Sequence, residues 1–157
     1  MATVSVVPAL IDALVAQCTA ACPGVLVVDG PGIETDDAED FLHIGMRDPR
    51  NPSGSAATET QEWPKASSHS RSGTGTIFCT AVSWDGTGDQ QAARNQVYAT
   101  VAAVQQLLHA DPRLGVDGVV KTSYTSIDYD QGQTPVGAFG VVLFGVDFEE
   151  RLVKESS

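Results

Sequence analysis

From Val136 to Phe148 the chain carries apolar side chains on both faces of an extended backbone: Val136, Phe139, Val141, Val142, Leu143, Phe144 and Val146. Successive strand residues point to opposite sides, so a segment apolar on both parities is covered twice. A sheet with this stretch as an inner strand is the organising element. Val119 to Tyr129 reads as a second long strand, with Val120, Tyr124, Ile127 and Tyr129 as its packing residues. Gly132-Gln133-Thr134-Pro135 turns one strand back on the other, which predicts an antiparallel hairpin.

The rest of the chain supplies the layer that such a sheet needs. Residues 4–22 read as a helix: Leu10, Leu14, Val15 and Cys18 recur at helical spacing, Pro8 is tolerated in a first turn, and Pro23-Gly24 ends the run. No strong N-cap precedes Pro8. Val25 to Val28 is a short strand closed by the turn Asp29-Gly30-Pro31-Gly32, and Phe41 to Met46 is another. Thr74 to Trp84 is a strand in which Ile77, Cys79 and Ala81 face one way and Phe78, Thr80 and Val82 the other. Thr87 begins a capping-box pattern, with Thr87 as N-cap and Gln90 reaching back. The helix that follows runs to about His109, with Ala93, Val97, Val101, Val104 and Leu108 as its apolar stripe.

Between the second and third strands, residues 47–73 hold three prolines and many Ser and Thr, with little periodicity and Trp63 as the one large apolar residue. This segment reads as a long loop or peripheral arm whose removal (residues 50–70) leaves the fold intact. The expected class is therefore α+β: a mostly antiparallel sheet, two helices packed on one face, and a long loop between strands two and three. At 157 residues the chain fits a single domain, 1–153, with 154–157 as a C-terminal tail. A hydrophobic fraction of 42% against 18% charged is that of a globular protein, not of a disordered one.

Charge excludes some partners. Nine Lys and Arg face twenty Asp and Glu, a formal net charge of −11. Such a surface repels phosphate backbones and anionic membranes. No stretch approaches the ~20 apolar residues of a membrane-spanning helix, and the N-terminal segment lacks a signal peptide's positive start. The three cysteines, Cys18, Cys22 and Cys79, are odd in number and irregularly spaced, which fits a reducing compartment rather than a disulfide framework.

Chemistry needs a constellation, and none is evident. Cys18 and Cys22 stand at i,i+4 on a helix, but His43, His69 and His109, which would have to complete a zinc site, sit in unrelated elements. Ser68-His69-Ser70 lacks a nucleophile-elbow pattern. Gly73-x-Gly75 and Gly86-x-Gly88 lack the Walker lysine and read as turn or bulge glycines. The acidic run 34–40 lacks the order of calcium ligands, and Asp128 and Asp130 read as a polar strand end. No catalytic residue, metal site or cofactor is expected, and the chain reads as a non-enzyme.

Several short segments resemble one family. They are Val7-Pro8-Ala9-Leu10-Ile11-Asp12-Ala13-Leu14, Val27-Val28-Asp29-Gly30-Pro31, Thr76-Ile77-Phe78-Cys79, Ala93-Arg94, Asp111-Pro112-Arg113-Leu114-Gly115, and Gly137-Ala138 leading into Val141 to Leu152. Together they look like the small tail terminator, or tail-completion, proteins of long-tailed phages of actinobacteria. The chain departs from the pattern at Gly115-Val116, where a second glycine is expected, which bears on the turn there. The resemblance implies a ring of six copies, made in the host cytoplasm and sited at the head-proximal end of the virion tail. That ring would cap the tail tube protein, end its growth and meet the head-tail connector, with DNA passing through an acidic lumen unbound. Arg47, Arg50, Trp63, Lys65, Arg71, Glu149 and Arg151 are the residues expected at subunit contacts. Three alternatives stay open: a head-completion or neck protein of the virion, a small enzyme using His69 or His109, and a small-ligand binding domain.

Overall fold

The computed structural model describes residues 4–31, 39–48, 54–62 and 70–153. The described elements run α1 (Val7–Ala21), β1 (Leu26–Asp29), β2 (Asp40–Ile44), β3 (Ala57–Glu62), β4 (Ser70–Asp85), α2 (Gln90–Ala110), β5 (Val119–Thr134) and β6 (Gly137–Val153). They build one six-stranded sheet in the order β1-β2-β4-β6-β5, with β3 also on β4. Only the β1–β2 pairing is parallel. The fold is α+β, as the pattern of elements predicts. No helix among the described residues is long and apolar enough to cross a membrane.

β6 takes the inner position that its two apolar parities require. It pairs along its length with β4 on one side and β5 on the other. Its even-numbered side chains, Val142, Phe144, Val146 and Phe148, join Leu42, Ile44, Ile77 and Cys79 in the core beneath the helices. Leu10, Leu14 and Cys18 of α1 and Val97, Val101, Val104 and Leu108 of α2 close that core from above, so both helices lie on the same face. The expected α2 stripe is buried throughout. The odd-numbered side of β6 faces away from the helices, and Val141, Leu143, Asp147 and Glu149 there are only half-buried.

Residues 47–73 are not simply a loop. Ala57–Glu62 forms β3, which pairs with β4 from Ala57↔Ile77 to Glu62↔Ser72. β2 pairs further along the same edge, from Ile44↔Cys79 to Asp40↔Ser83. The two short strands thus lie end to end against one long one. Phe78 marks the change-over: its carbonyl accepts from Gly45 and Met46, and its N–H donates to the Ala56 carbonyl. Deleting 50–70 therefore removes a paired strand, and the expectation of a dispensable arm is corrected. β4 also begins earlier than expected, at Ser70.

Both helix starts differ from the sequence-based expectation. Asp89, not Thr87, caps α2: its carboxylate accepts from Ala92 N–H at 3.2 Å. Thr87 instead donates its amide and hydroxyl to Asp85, which holds that carboxyl below its usual range. Gln90 does not reach back; its amide donates to the Phe139 carbonyl, tying α2 to β6. Replacing Asp89 with alanine is expected to cost about 1 kcal/mol, read as a lowered midpoint in urea with an unchanged slope. Thr87→Ala is expected to shift it less. At α1 the N-cap residue Val6 makes no side-chain cap bond; Ser5 Oγ just before it accepts from the Val7 N–H at 3.0 Å, and the Val6 N–H donates to Glu150 of β6 at 2.9 Å.

The turn after α2 holds its shape through Leu114 and Gly115. Leu114 and Gly115 both take left-handed backbone angles, φ 51° and 69°. Leu114 is buried in the core, and its packing fixes a conformation that a branched side chain seldom adopts.

Candidate functional site

The side of the sheet opposite the helices is the surface where exposed chemistry collects. β4 contributes Thr74, Thr76 and Phe78, β6 contributes Asp147, Glu149 and Arg151, and β5 contributes Lys121, Ser123 and Thr125; the register brings these to one face. Thr76 donates its hydroxyl to Asp147. Lys121 and Glu149 lie 3.8 Å apart, and both are well exposed, so the pair adds little stability. Arg47 follows β2 and sets its guanidinium 4.7 Å above the Phe78 ring, a cation–π contact. Two shallow recesses of about 330 and 500 Å³ indent this face, one at Thr74, Lys121 and Asp147, the other at Arg47, Phe78 and Asp128.

Of the expected contact residues, the structure brings Arg47, Glu149 and Arg151 to this face. Arg71 is separated from them: it pairs with Leu152, on the opposite parity, and its guanidinium donates to the Val4 carbonyl beside α1. Arg50, Trp63 and Lys65 lie outside the described residues, as do His69, acidic positions 34–38 and the 154–157 tail.

A second cluster went unread in the sequence. Glu150 is fully buried. It accepts from Val6 N–H and from the Gln61 amide, each at 2.9 Å. Gln61 also donates to Glu59 and to the Val4 carbonyl, and Ser5 donates to Glu59 at 2.6 Å. The signal was present: Glu150 is the one charged residue on the parity of β6 that otherwise holds Val142, Phe144, Val146, Phe148 and Leu152. Gly73 and Gly75 find their reason here, since a Cβ on Gly73 would stand 2.7 Å from Glu150 and one on Gly75 2.6 Å from the Phe148 ring.

The candidate reactive groups are dispersed. His43 is buried, with Nδ1 3.0 Å from the Gly30 carbonyl, while His109 is exposed in the last turn of α2. The three cysteines are free and buried. Burial pushes the Cys18 thiol up to about 12 with a smaller push from Cys22, and burial raises Cys22 and Cys79 as well, so all three are held as neutral thiols and are poor nucleophiles. Among the described residues, no group of three His, Cys, Asp or Glu is placed to hold a metal ion. No protein-family model matches the chain, and no curated protein matches it.

Proposed function

We propose that the chain is a structural, non-enzymatic subunit that joins copies of itself into a closed ring, and that this ring is the tail terminator of a long-tailed phage. The observation that carries this is the pair of unlike open edges on one sheet. β5 is a 16-residue strand hydrogen-bonded to β6 alone among the described strands, and the opposite edge is made by β1 and β3. A ring needs two different, mutually complementary patches on every subunit, and unlike sheet edges supply them. Register shifts at Val119/Lys121 and Thr125/Ile127, with Lys121 beside the first, twist β5 and discourage indiscriminate pairing, so that only a matched partner fits.

The phage assignment comes from the family resemblance of the segments from Val7-Pro8 to Leu152. In that role six copies cap the tail tube, stop its growth and meet the head connector, with Arg47, Glu149 and Arg151 at or near the contacts. The net charge of −11 suits a lumen through which DNA slides without sticking.

The test is the mass of the purified protein across a concentration series, by light scattering, alone and with tail-tube subunits. A mass of six subunits, or a sharp limit on tube length when the protein is added, is the expected result. A monomer that leaves tube growth unaltered overturns the terminator assignment and favours a neck protein.

A further inference from the structure

A recess of about 290 Å³ lies on the helix side of the sheet, where the end of α1 and the middle of α2 meet the start of β2; Ala21, Cys22, Val25, Asp40, Ala99 and Ala103 are among its lining residues. Asp40 opens β2, on the parity that turns Leu42 and Ile44 toward the helices. Among the described residues nothing donates a hydrogen bond to its carboxylate, no cation lies within 4 Å of it, and one oxygen, Oδ1, is buried without a partner. Its register partner on β4, Ser83, faces the same way with no exposed surface, and the Ser83 Oγ is unpartnered too. Buried polar atoms without partners are rare, so two on paired residues mark a place short of donors. The end of α1 deepens the shortage. Pro23 has no N–H to give the Thr19 carbonyl, and among the described residues the carbonyls of Thr19, Ala20 and Ala21 accept no backbone N–H. No basic residue stands in that last turn to offset the negative end of the helix dipole. None of the described lining residues is Lys or Arg, and Arg94 of α2 donates instead to Gln131 of β5.

We propose that this recess binds a short primary alkylammonium ion. The ammonium group brings three N–H donors and a positive charge to Asp40 and the open end of α1, while its hydrocarbon lies against Val25, Ala99 and Ala103. The alanines matter because a longer side chain at either position would occupy the space. A hard metal ion suits the place less. It takes about six or more oxygen ligands, and among the described residues no three His, Cys, Asp or Glu gather. The net charge of −11 favours the approach of any small cation, and the apolar wall then selects one that carries a hydrocarbon. The site lies on the opposite side of the sheet from Arg47, Glu149 and Arg151 and is independent of ring assembly.

The experiment titrates n-butylammonium chloride into the whole chain at constant ionic strength and follows the backbone amides by NMR. Saturable shifts are expected at Val25, Asp40, Ala99 and Ala103, with a dissociation constant of about 1–10 mM, the weak range of a small ligand in an open site. 1-Butanol, which lacks the charge, and potassium chloride, which lacks the hydrocarbon, are expected to bind at least about tenfold more weakly. Asp40→Asn removes the charge with little change of shape. It is expected to weaken n-butylammonium by about tenfold or more without lowering the melting temperature, because the carboxylate it replaces has no partner. Should that variant fail to fold, Ala99→Leu, at an exposed helical position that accepts leucine, fills the recess and must abolish the saturable shifts. No saturation by n-butylammonium up to about 100 mM, equal binding of 1-butanol or potassium, or unchanged affinity in Asp40→Asn or in Ala99→Leu overturns the site.

Discussion

Val142→Asp is expected to abolish folding. Val142 has no exposed surface and lies in the inner strand, between Ala81 of β4 and Tyr129 of β5. The change forfeits about 1.5–3 kcal/mol of apolar burial and puts an unpaired charge in the core at a further cost of several kcal/mol. A domain's whole stability is about 5–15 kcal/mol, so the sum reaches or exceeds the margin. Far-ultraviolet circular dichroism at 20–25 °C should show an unfolded or aggregated chain. A variant that melts cooperatively near the parent temperature would mean that β6 is not the covered strand described. The matching change on the other parity, Leu143→Asp, falls on a half-buried position and is expected to leave a folded protein.

Gly75→Ala is expected to leave a folded but clearly destabilised protein, a large effect for one methyl group. The added carbon would stand 2.2 Å from the Thr58 carbonyl and 2.6 Å from the Phe148 ring. Backbone cannot yield as the end of a long side chain does, so β3 must lift away from β4 or Phe148 must leave its place. Overpacking of this kind costs about 1–3 kcal/mol, a fall in melting temperature of roughly 2–12 °C for a chain of this size. Gly86→Ala is the control, because a Cβ there meets nothing within 4 Å. Equal melting of the two variants would show that β3 does not lie against Gly75.

What the sequence disclosed and what it withheld divide along a physical line. The inner strand, the α2 stripe and the alternation of Ile77, Cys79 and Ala81 were legible because each buries apolar surface, and burial writes its period into the residues. β3 was not legible. Of its inward side chains only the small Ala57 packs on the apolar core, while Glu59 and Gln61 meet Ser5, Val4 and Glu150, so Ala57–Glu62 alternates with almost no hydrophobic signal. Part of the α1 start was hidden for a different reason: the acceptor of the Val6 N–H stands 144 positions away, beyond any local pattern. On the candidate surface, parity alone places Glu149 and Arg151 on one side of β6. That Arg71 turns to the other side depends on the register of β4 against β6, which no spacing within one segment reveals.

The position of β6 has a consequence for synthesis. Translation makes β4, then α2 and β5, before the strand that lies between β4 and β5 exists. Until β6 leaves the ribosome, two 16-residue strands have no inner neighbour, and the apolar stripe of α2 lacks the strand that joins the sheet beneath it. Folding of this sheet is therefore held back until β6 has been made, and a nascent chain stalled near residue 135 would display two unsatisfied strand edges and invite capture by chaperones or by its own copies.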